Sequence, residues 1–561
     1  MATGLTVLIV GGYGMFGGRI VQLLEDEPRL TLIVAGRSLE RASRFCEQRG
    51  AAAARLTPAG FDRAADVRGQ LAGLRPDVVV DASGPFQAYG AQPYRLLEAC
   101  IAEGVNYLDL ADGSDFVRGV GVLDGAARAA GVFALSGVSS FPVLTAAVAR
   151  RLAADLSRID SLRGGIAPSP YAGVGDNVIR AIAGYAGRAV SIRRDGQTSR
   201  ARPFTEQVRY TIAPPGRLPL RNTLFSLVDV PDLTALAEAW PLAQRVWMGA
   251  GPVPEPLHRL LIACAWLVRL RLAPTLAPLA PLMAWVTRRL RWGEHRGGMF
   301  VEIEGVDAGG APIRRSWHLL AEGDDGPLIP SMAVEAIVRR ALRGRPPAPG
   351  ARACVHDLEL ADYEALFARR AIRTGVRTDA PEDAGPLYRR ILGDAWRELP
   401  AAVRAMHDGA RAAQGEASVE RGRGLLAGLA GALMGFPRAA ASTPLRVRFE
   451  AAGGAETWTR RFGTGRFASR QFAGRGRSDR LLCEQFGPLT FAMALVQDGA
   501  RLTLVLRRWT AFGVPLPMWL CPRSEAYETE VDGVVRFHVE ISHPLAGLIV
   551  RYRGALTPAA G

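Results

Sequence analysis

The residues most able to do chemistry stand near the start of the chain, in Gly12-Tyr13-Gly14-Met15-Phe16-Gly17. Glycines at this Gly-x-Gly-x-x-Gly spacing suit a dinucleotide phosphate. Gly12 permits a tight turn, Gly14 lets backbone amides approach a pyrophosphate, and Gly17 lets a helix pack closely on a strand. The N-terminus of that helix adds partial positive charge. A second signal follows at Gly36-Arg37-Ser38. An Asp or Glu about twenty residues beyond the turn would hold a ribose 2′-hydroxyl. Here a guanidinium beside a hydroxyl takes that place, and Arg grips phosphate oxygens bidentately. The pair points to NADP(H) rather than NAD(H). A glycine-rich turn beside a solvated arginine is the bland alternative, and the flanking pattern argues against it.

These groups need a strand before the turn and a helix after it. Leu5 to Val10 is a compact apolar run for a buried strand, and Arg19 to Leu24 repeats at helical spacing. Leu30 to Ala35 reads as the second strand, Leu39 to Arg49 as a helix, and Ala51 to Leu56 as a third strand. A helix running to Leu74 precedes Asp77 to Asp81, a buried strand that opens into Ala82-Ser83-Gly84-Pro85-Phe86. That small-residue turn lies at the carboxyl end of a parallel strand, where such sheets bind ligands. A helix over 92–103, a strand over 105–109, a helix over 116–130 and a strand over 132–135 complete the alternation. The pattern predicts an α/β doubly wound parallel sheet.

Composition narrows the rest. The 561 residues carry a net charge of +15, and all 69 basic residues are arginine. Without lysine there is no Schiff base, no pyridoxal attachment and no phosphate-loop lysine. The arginines are spread along the chain, with no basic tract interleaved with stacking aromatics, so nucleic acid is not an expected partner. Six cysteines (Cys46, Cys100, Cys264, Cys354, Cys483, Cys521) include no Cys-x-x-Cys pair and, with seven histidines, give no metal-ligand spacing. They read as free thiols of a reducing compartment. No basic region precedes the first apolar run, so a cytoplasmic location is expected.

GGYGMFGG, AGRS, FDR, VVVDASGPFQAYG, ACIAEGVNYLDL and GVSSFP, in this order, resemble the saccharopine-dehydrogenase-like oxidoreductases over about residues 5 to 370. The resemblance implies a Rossmann domain binding NADP or NAD. In it Gly12, Tyr13, Gly14, Met15 and Phe16 wrap the pyrophosphate, and Arg37 with Ser38 holds the adenosine phosphate. Asp62 lies near the adenine end, and Ser83, Gly84 and Pro85 lie beside the nicotinamide ribose. The family's Gly-Glu pair after the Tyr-x-Asp strand is replaced here by Asp112-Gly113, which displaces the acidic group beside the cleft. A second resemblance, carried by LYRRILG, WTRRFG, CEQFGP, GVPLP and RYRGAL over about 384 to 556, is to a bacterial domain of unknown function found behind such modules.

Three domains are expected: an NADP-binding domain at 1–155, a substrate-side α/β domain at 156–372 and a C-terminal β-rich domain with flanking helices at 384–556. In the second, Arg163 to Gly175 reads as a Gly- and Pro-rich loop and Asp176 to Ala186 as a helix, capped by its first residue. Strands are expected at Phe204 to Ile212, Met299 to Gly305 and Ile313 to Leu320, in an open antiparallel sheet. Leu342 to Arg352 and Arg373 to Gly385 read as linkers. The apolar segment 257–292 is cut by Pro274, Pro278 and Pro281 and is too short to span a bilayer. It reads as a pair of helices forming a lid or a homodimer contact. Alternatively it is an interfacial hairpin whose Leu, Trp and Met enter lipid while Arg288, Arg289 and Arg291 meet phosphates. The C-terminal part reads as amphipathic helices followed by strands in a curled antiparallel sheet.

Hydride transfer needs a nearby proton donor or acceptor. The cofactor half has no histidine, so Tyr89 and Asp112 are the catalytic candidates. His295 and His318 flank the predicted hairpin, with a surface role favoured. Asp229-Asp232 and Glu322-Asp324-Asp325 read as loop or cap acids. These features predict an NADP(H)-dependent oxidoreductase reducing a C=C or C=O bond of a small lipid-like or amino-acid-derived substrate. A non-catalytic NADP(H)-binding scaffold and a peripheral membrane protein are the alternatives.

Overall fold

The computed structural model describes residues 4–173, 175–379, 385–463 and 465–559. The chain forms two compact units: Met1–Val208 with Leu224–Arg373, and Arg209–Thr223 with Thr374–Gly561.

In the first unit the apolar runs become parallel strands. The sheet order is Gly350–Ala353, Phe133–Ser136, Asn106–Asp109, Val78–Asp81, Leu5–Val10, Leu30–Gly36, Arg55–Gly60. All of its pairings are parallel. Strand order reverses between Leu5–Val10 and Val78–Asp81, so a crevice opens at their carboxyl ends. Val7, Leu8, Ile9, Val79 and Val80 are fully buried, as strands covered by helices on both faces require. Two expectations shift here. The third strand is Arg55–Gly60 rather than 51–56, and Pro58 is tolerated because this is the sheet's edge. Within the expected linker 342–352, Gly350–Ala353 begins a seventh strand, too short to show a period in the sequence.

A second sheet in this unit holds, side by side, Thr223–Leu227, Arg245–Ala250, Leu156–Ala167, Gly297–Asp307 and Pro312–Ala321. It is mixed rather than antiparallel, because Arg245–Ala250 runs parallel to Leu156–Ala167. The expected loop at 163–175 gives way up to Ala167 to this central strand. Gly164 and Gly165 stand in it because side chains occupy the space beside them, the Met248 thioether at Gly164 and aromatic rings at Gly165. A Cβ on Gly165 would come within 2.6 Å of the Phe300 ring and 2.8 Å of Phe225. The hairpin joining Gly297–Asp307 to Pro312–Ala321 forms as expected. Helix Asp176–Tyr185 has Gly175 as its N-cap, and Asp176 pairs with Arg288 instead. Apolar segment 257–292 forms helices Glu255–Arg269 and Ala280–Arg289.

In the second unit, ten antiparallel strands from Ala412–Arg421 to Gly547–Ala559 close into a barrel. The closing pair is Leu489–Asp498 with Arg501–Ala511. Ala412–Arg421, Gly465–Ala473 and Leu482–Phe486 are strands that the sequence reading passed over. Ile372–Thr378 is likewise a strand where a connector was expected, and 380–384 lie outside the described residues. Helices Leu387–Leu392 and Ala401–His407 contribute Tyr388, Val403 and Met406 to the same core as Trp458, Phe462 and Tyr552. Tyr388 stacks on His407 at 3.8 Å, and His407 Nε2 lies 2.6 Å from the Glu528 carboxylate.

Asp232 yields a stability prediction. It is fully buried, bonded to the Thr145 hydroxyl, and its Oδ2 has no partner. Burial pushes its carboxyl up to about 7. A carboxyl raised this way holds its proton in the folded state and releases it in the unfolded one. Stability therefore falls as pH rises from about 4 to about 7. Asp232→Asn removes that loss. Its stability relative to wild type should climb across this window by up to about 4 kcal/mol, read from denaturant melts at several pH values. A pH-independent difference would contradict the assignment.

Candidate functional site

The crevice predicted by the strand order is a cavity of about 1360 Å³ in the first unit. Its floor begins at the glycine turn. Gly11 and Gly12 amides both donate to the Ala35 carbonyl, at 2.8 and 2.9 Å, which ties the turn to the neighbouring strand. Helix Met15–Leu24 follows with Gly14 as its N-cap, no side chain capping it and no acid in its first turn. Its first amides are thus left for an anion, which helix N-termini favour. A Cβ on Gly17 would lie 2.2 Å from the Gly11 carbonyl oxygen and 2.8 Å from Gly12 Cα. Only glycine allows this approach of helix to turn.

Tyr13 joins the turn to the adenosine end. Its hydroxyl accepts from the Ser38 amide at 3.1 Å, and its ring packs on Gly36, where a Cβ would fall 2.5 Å from the phenol oxygen. The Arg41 guanidinium lies 4.9 Å above the same ring. Arg37, exposed, lines the cavity with Arg41, Asp62 and Arg63. Arg63 stacks on the Tyr89 ring at 3.4 Å and approaches the buried Asp81 carboxylate at 3.4 Å, while its buried Nε has no partner. Arg37 and Arg41, at the Tyr13 end of the cavity, fit a dianionic phosphate, while Arg63 stands against Tyr89 and Asp81. Together with the uncapped helix and the glycine cradle, the first two arginines fit the group.

At the other end Ser83, Gly84, Pro85 and Tyr89 line the cavity. Ser83 Oγ donates to Asp81 Oδ1 at 2.6 Å and lies 3.0 Å from the Tyr89 hydroxyl. Asn177 donates to the Gly84 carbonyl at 3.0 Å, fixing the turn. Burial and the Asp81 charge hold the Tyr89 phenol protonated, well above its usual range. It can donate a proton near neutral pH but not accept one.

Of the expected residues, Tyr13, Gly14, Met15, Phe16, Arg37, Asp62, Ser83, Gly84, Pro85 and Tyr89 meet at one cavity. Gly12 lies beneath its floor, packed on Val34. Ser38 caps helix Leu39–Glu47, accepting from the Arg41 amide. Asp112 does not line the cavity. It accepts from Gln87 Nε2 at 3.0 Å, and burial raises its carboxyl. His295 is exposed and stacks on Tyr171. His318 is fully buried, 2.9 Å from Ser316 Oγ, which corrects its expected surface position. Strand Pro312–Ala321 turns it to the buried face of its sheet.

Sequence reasoning missed Arg41, Arg63, Asn177 and His258 at the cavity. Arg63 was within reach, in the Phe61-Asp62-Arg63 run. His258 carried no signal: it lies on the first of the two apolar helices, buried, with Nε2 2.9 Å from Ser226 Oγ. Those helices and the segment joining them form the opposite wall, where Leu257, Leu261, Leu276, Met283 and Val286 face the cavity. Among the described residues, no group of three His, Cys, Asp or Glu side chains is placed to hold a metal.

This fold and cradle define a nucleotide-binding oxidoreductase domain. Residues 7–135 match the saccharopine dehydrogenase NADP binding domain, and residues 399–556 match a domain of unknown function, DUF4166. The chain is an NAD(P)-dependent oxidoreductase with a saccharopine-dehydrogenase-type cofactor domain at its N-terminus. No curated protein matches it. Among solved structures, the L-Glu-forming saccharopine dehydrogenase of Saccharomyces cerevisiae is 13% identical and covers 67% of this chain and 100% of its own, at a TM-score of 0.47. A myo-inositol dehydrogenase of Corynebacterium glutamicum is 13% identical, covering 67% and 99%, at 0.32. A Synechocystis biliverdin reductase bound to biliverdin and NADP+ is 14% identical, covering 65% and 98%, at 0.30.

Proposed function

We propose that the protein is an NADP(H)-dependent reductase acting on a C=O or C=C bond of a lipid-like small molecule. The observation that carries this reading is the division of one cavity into two chemistries. Its floor is a phosphate cradle flanked by Arg37 and Arg41, and its far wall is aliphatic, from Leu257 to Val286. A substrate that is mostly hydrocarbon removes this wall from water, at about 25 cal/mol per Å². A compact, highly charged amino-acid derivative would leave it uncovered, so the lipid-like class is favoured over the amino-acid-derived one.

When bound, the cofactor supplies hydride. The chain's own contribution is to hold, dry and protonate. The helix Met15–Leu24 and the arginines hold phosphates, and the aliphatic wall excludes water. Tyr89, kept as a neutral phenol, offers a proton to the oxygen of a reduced carbonyl, whose alkoxide is the stronger base. Asp112, away from the cavity, acts at most through Gln87 on the Phe86–Ala88 turn. Such a substrate resides in a membrane, and the same reading makes 257–292 a peripheral membrane contact rather than a homodimer contact.

Steady-state oxidation of NADPH against aldehydes and enones of increasing chain length tests this. We expect kcat/KM to rise about fivefold or more for each two added methylenes until the wall is covered. A preference for short, polar carbonyls would overturn it.

A further inference from the structure

Helices Glu255–Arg269 and Ala280–Arg289, with the turn Ala277–Leu279 before the second, are apolar on two sides. One side faces the cavity. The other faces solvent and presents Leu270, Leu272, Trp285 and Trp292, with Leu272 72% and Trp285 54% exposed. Soluble surfaces rarely expose large apolar side chains in such a group unless something covers them. Leu260, Leu279, Leu282 and Leu290 belong to both sides: each lines the cavity and each is more than 40% exposed. The outer patch and the cavity wall are therefore one continuous apolar surface, and these four leucines form its rim.

Charge identifies the occupant. Residues 256–293 include six arginines (Arg259, Arg269, Arg271, Arg288, Arg289, Arg291) and no acid. Among the described residues, the ion pairs made by this stretch are Arg259–Glu255 and Arg288–Asp176. Arg269 and Arg289 lie over the Trp266 and Trp285 rings, at 4.4 and 6.0 Å. Trp and Arg side by side at the edge of a leucine patch are the composition of a surface that enters the headgroup layer. A second copy is a poor partner, because a two-fold contact sets the same patch against itself and brings arginine onto arginine. No helix among the described residues is long and apolar enough to cross a membrane.

We propose that this helical pair seats the first unit on an anionic bilayer, and that the substrate enters the cavity directly from the lipid, between the four rim leucines. The entry route rests on the lipid-substrate reading above, whereas the seating on lipid stands by itself. The test is flotation of the full chain with phosphatidylcholine vesicles, with and without phosphatidylglycerol. The wild type should float with the anionic vesicles and be released by salt. Leu272→Ser/Trp285→Ser, at positions outside the cavity, should weaken vesicle binding about tenfold or more. Arg271→Gln/Arg289→Gln should abolish most of the preference for anionic lipid. Both variants should keep wild-type NADPH affinity and wild-type turnover of a water-soluble aldehyde, while losing turnover of a vesicle-embedded one. Failure of the wild type to float would overturn the proposal even if NADPH is turned over. A dimer in solution that the same substitutions dissociate, with no vesicle binding, would also overturn it, in favour of a second copy. Flotation without any turnover would leave the seating intact and remove the reductase reading and the entry route with it.

Discussion

Gly17→Ala is expected to abolish retention of the dinucleotide while leaving the parallel sheet folded. The added Cβ would stand 2.2 Å from the Gly11 carbonyl oxygen and 2.8 Å from Gly12 Cα, and both neighbours are backbone. Neither can rotate away as a side chain could, so helix Met15–Leu24 must move off the turn. Overpacking of this kind costs about 1–3 kcal/mol, which the surrounding buried strands can absorb. The cradle cannot absorb it, because a shift of one ångström takes the first-turn amides out of reach of a pyrophosphate. Fluorescence titration with NADPH should show a loss of at least about 100-fold in affinity, with the far-UV circular dichroism of the wild type. Unchanged affinity would mean that the cofactor does not lie on this turn.

Tyr89→Phe is the second large effect. The phenol is an uncharged acid at the cavity's Ser83–Pro85 end, 3.0 Å from Ser83 Oγ and 3.3 Å from the Asp81 carboxylate. Its ring lies under Arg63 at 3.4 Å, and phenylalanine preserves that stack. Cofactor affinity should therefore stay within about twofold of wild type. Removing a positioned acid typically costs 10²–10⁴-fold, so kcat should fall by about 100-fold or more. Because burial and the Asp81 charge hold the phenol protonated well above its usual range, the wild-type rate should show no fall from its ionisation through mildly alkaline pH. Loss of cofactor affinity with kcat unchanged would reassign Tyr89 to holding Arg63.

What the sequence makes legible here follows from how local each determinant is. The cradle is written in consecutive residues: an apolar run, glycines at fixed spacing, then a helical repeat. Each is dictated within a few residues, and Tyr13, Gly14, Met15 and Phe16 meet at the cavity as expected. Arg37 was legible because strand Leu30–Gly36 ends one residue earlier. Gly164 and Gly165 were misleading for the opposite reason. Glycine is a turn residue by local preference, but here Met248 at Gly164 and Phe225 with Phe300 at Gly165, all distant in sequence, need the space. Ala412–Arg421 and Gly465–Ala473 were missed because alanine, glycine and arginine dominate them. Their pairing partners, rather than their propensity, make them strands. His258 was hidden by a helix whose sequence speaks only of apolar packing, and a fold is needed to bring that helix over the glycine turn.

The central claim is that arginines and an uncapped helix select a phosphorylated dinucleotide in this cavity. Calorimetric titration of the full chain with NADPH and NADH tests it most directly. The account predicts saturable binding of both, with NADPH tighter by about tenfold or more, as a charge-assisted contact of Arg37 with a 2′-phosphate would give. Tighter binding of NADH, or no binding of either, would contradict it.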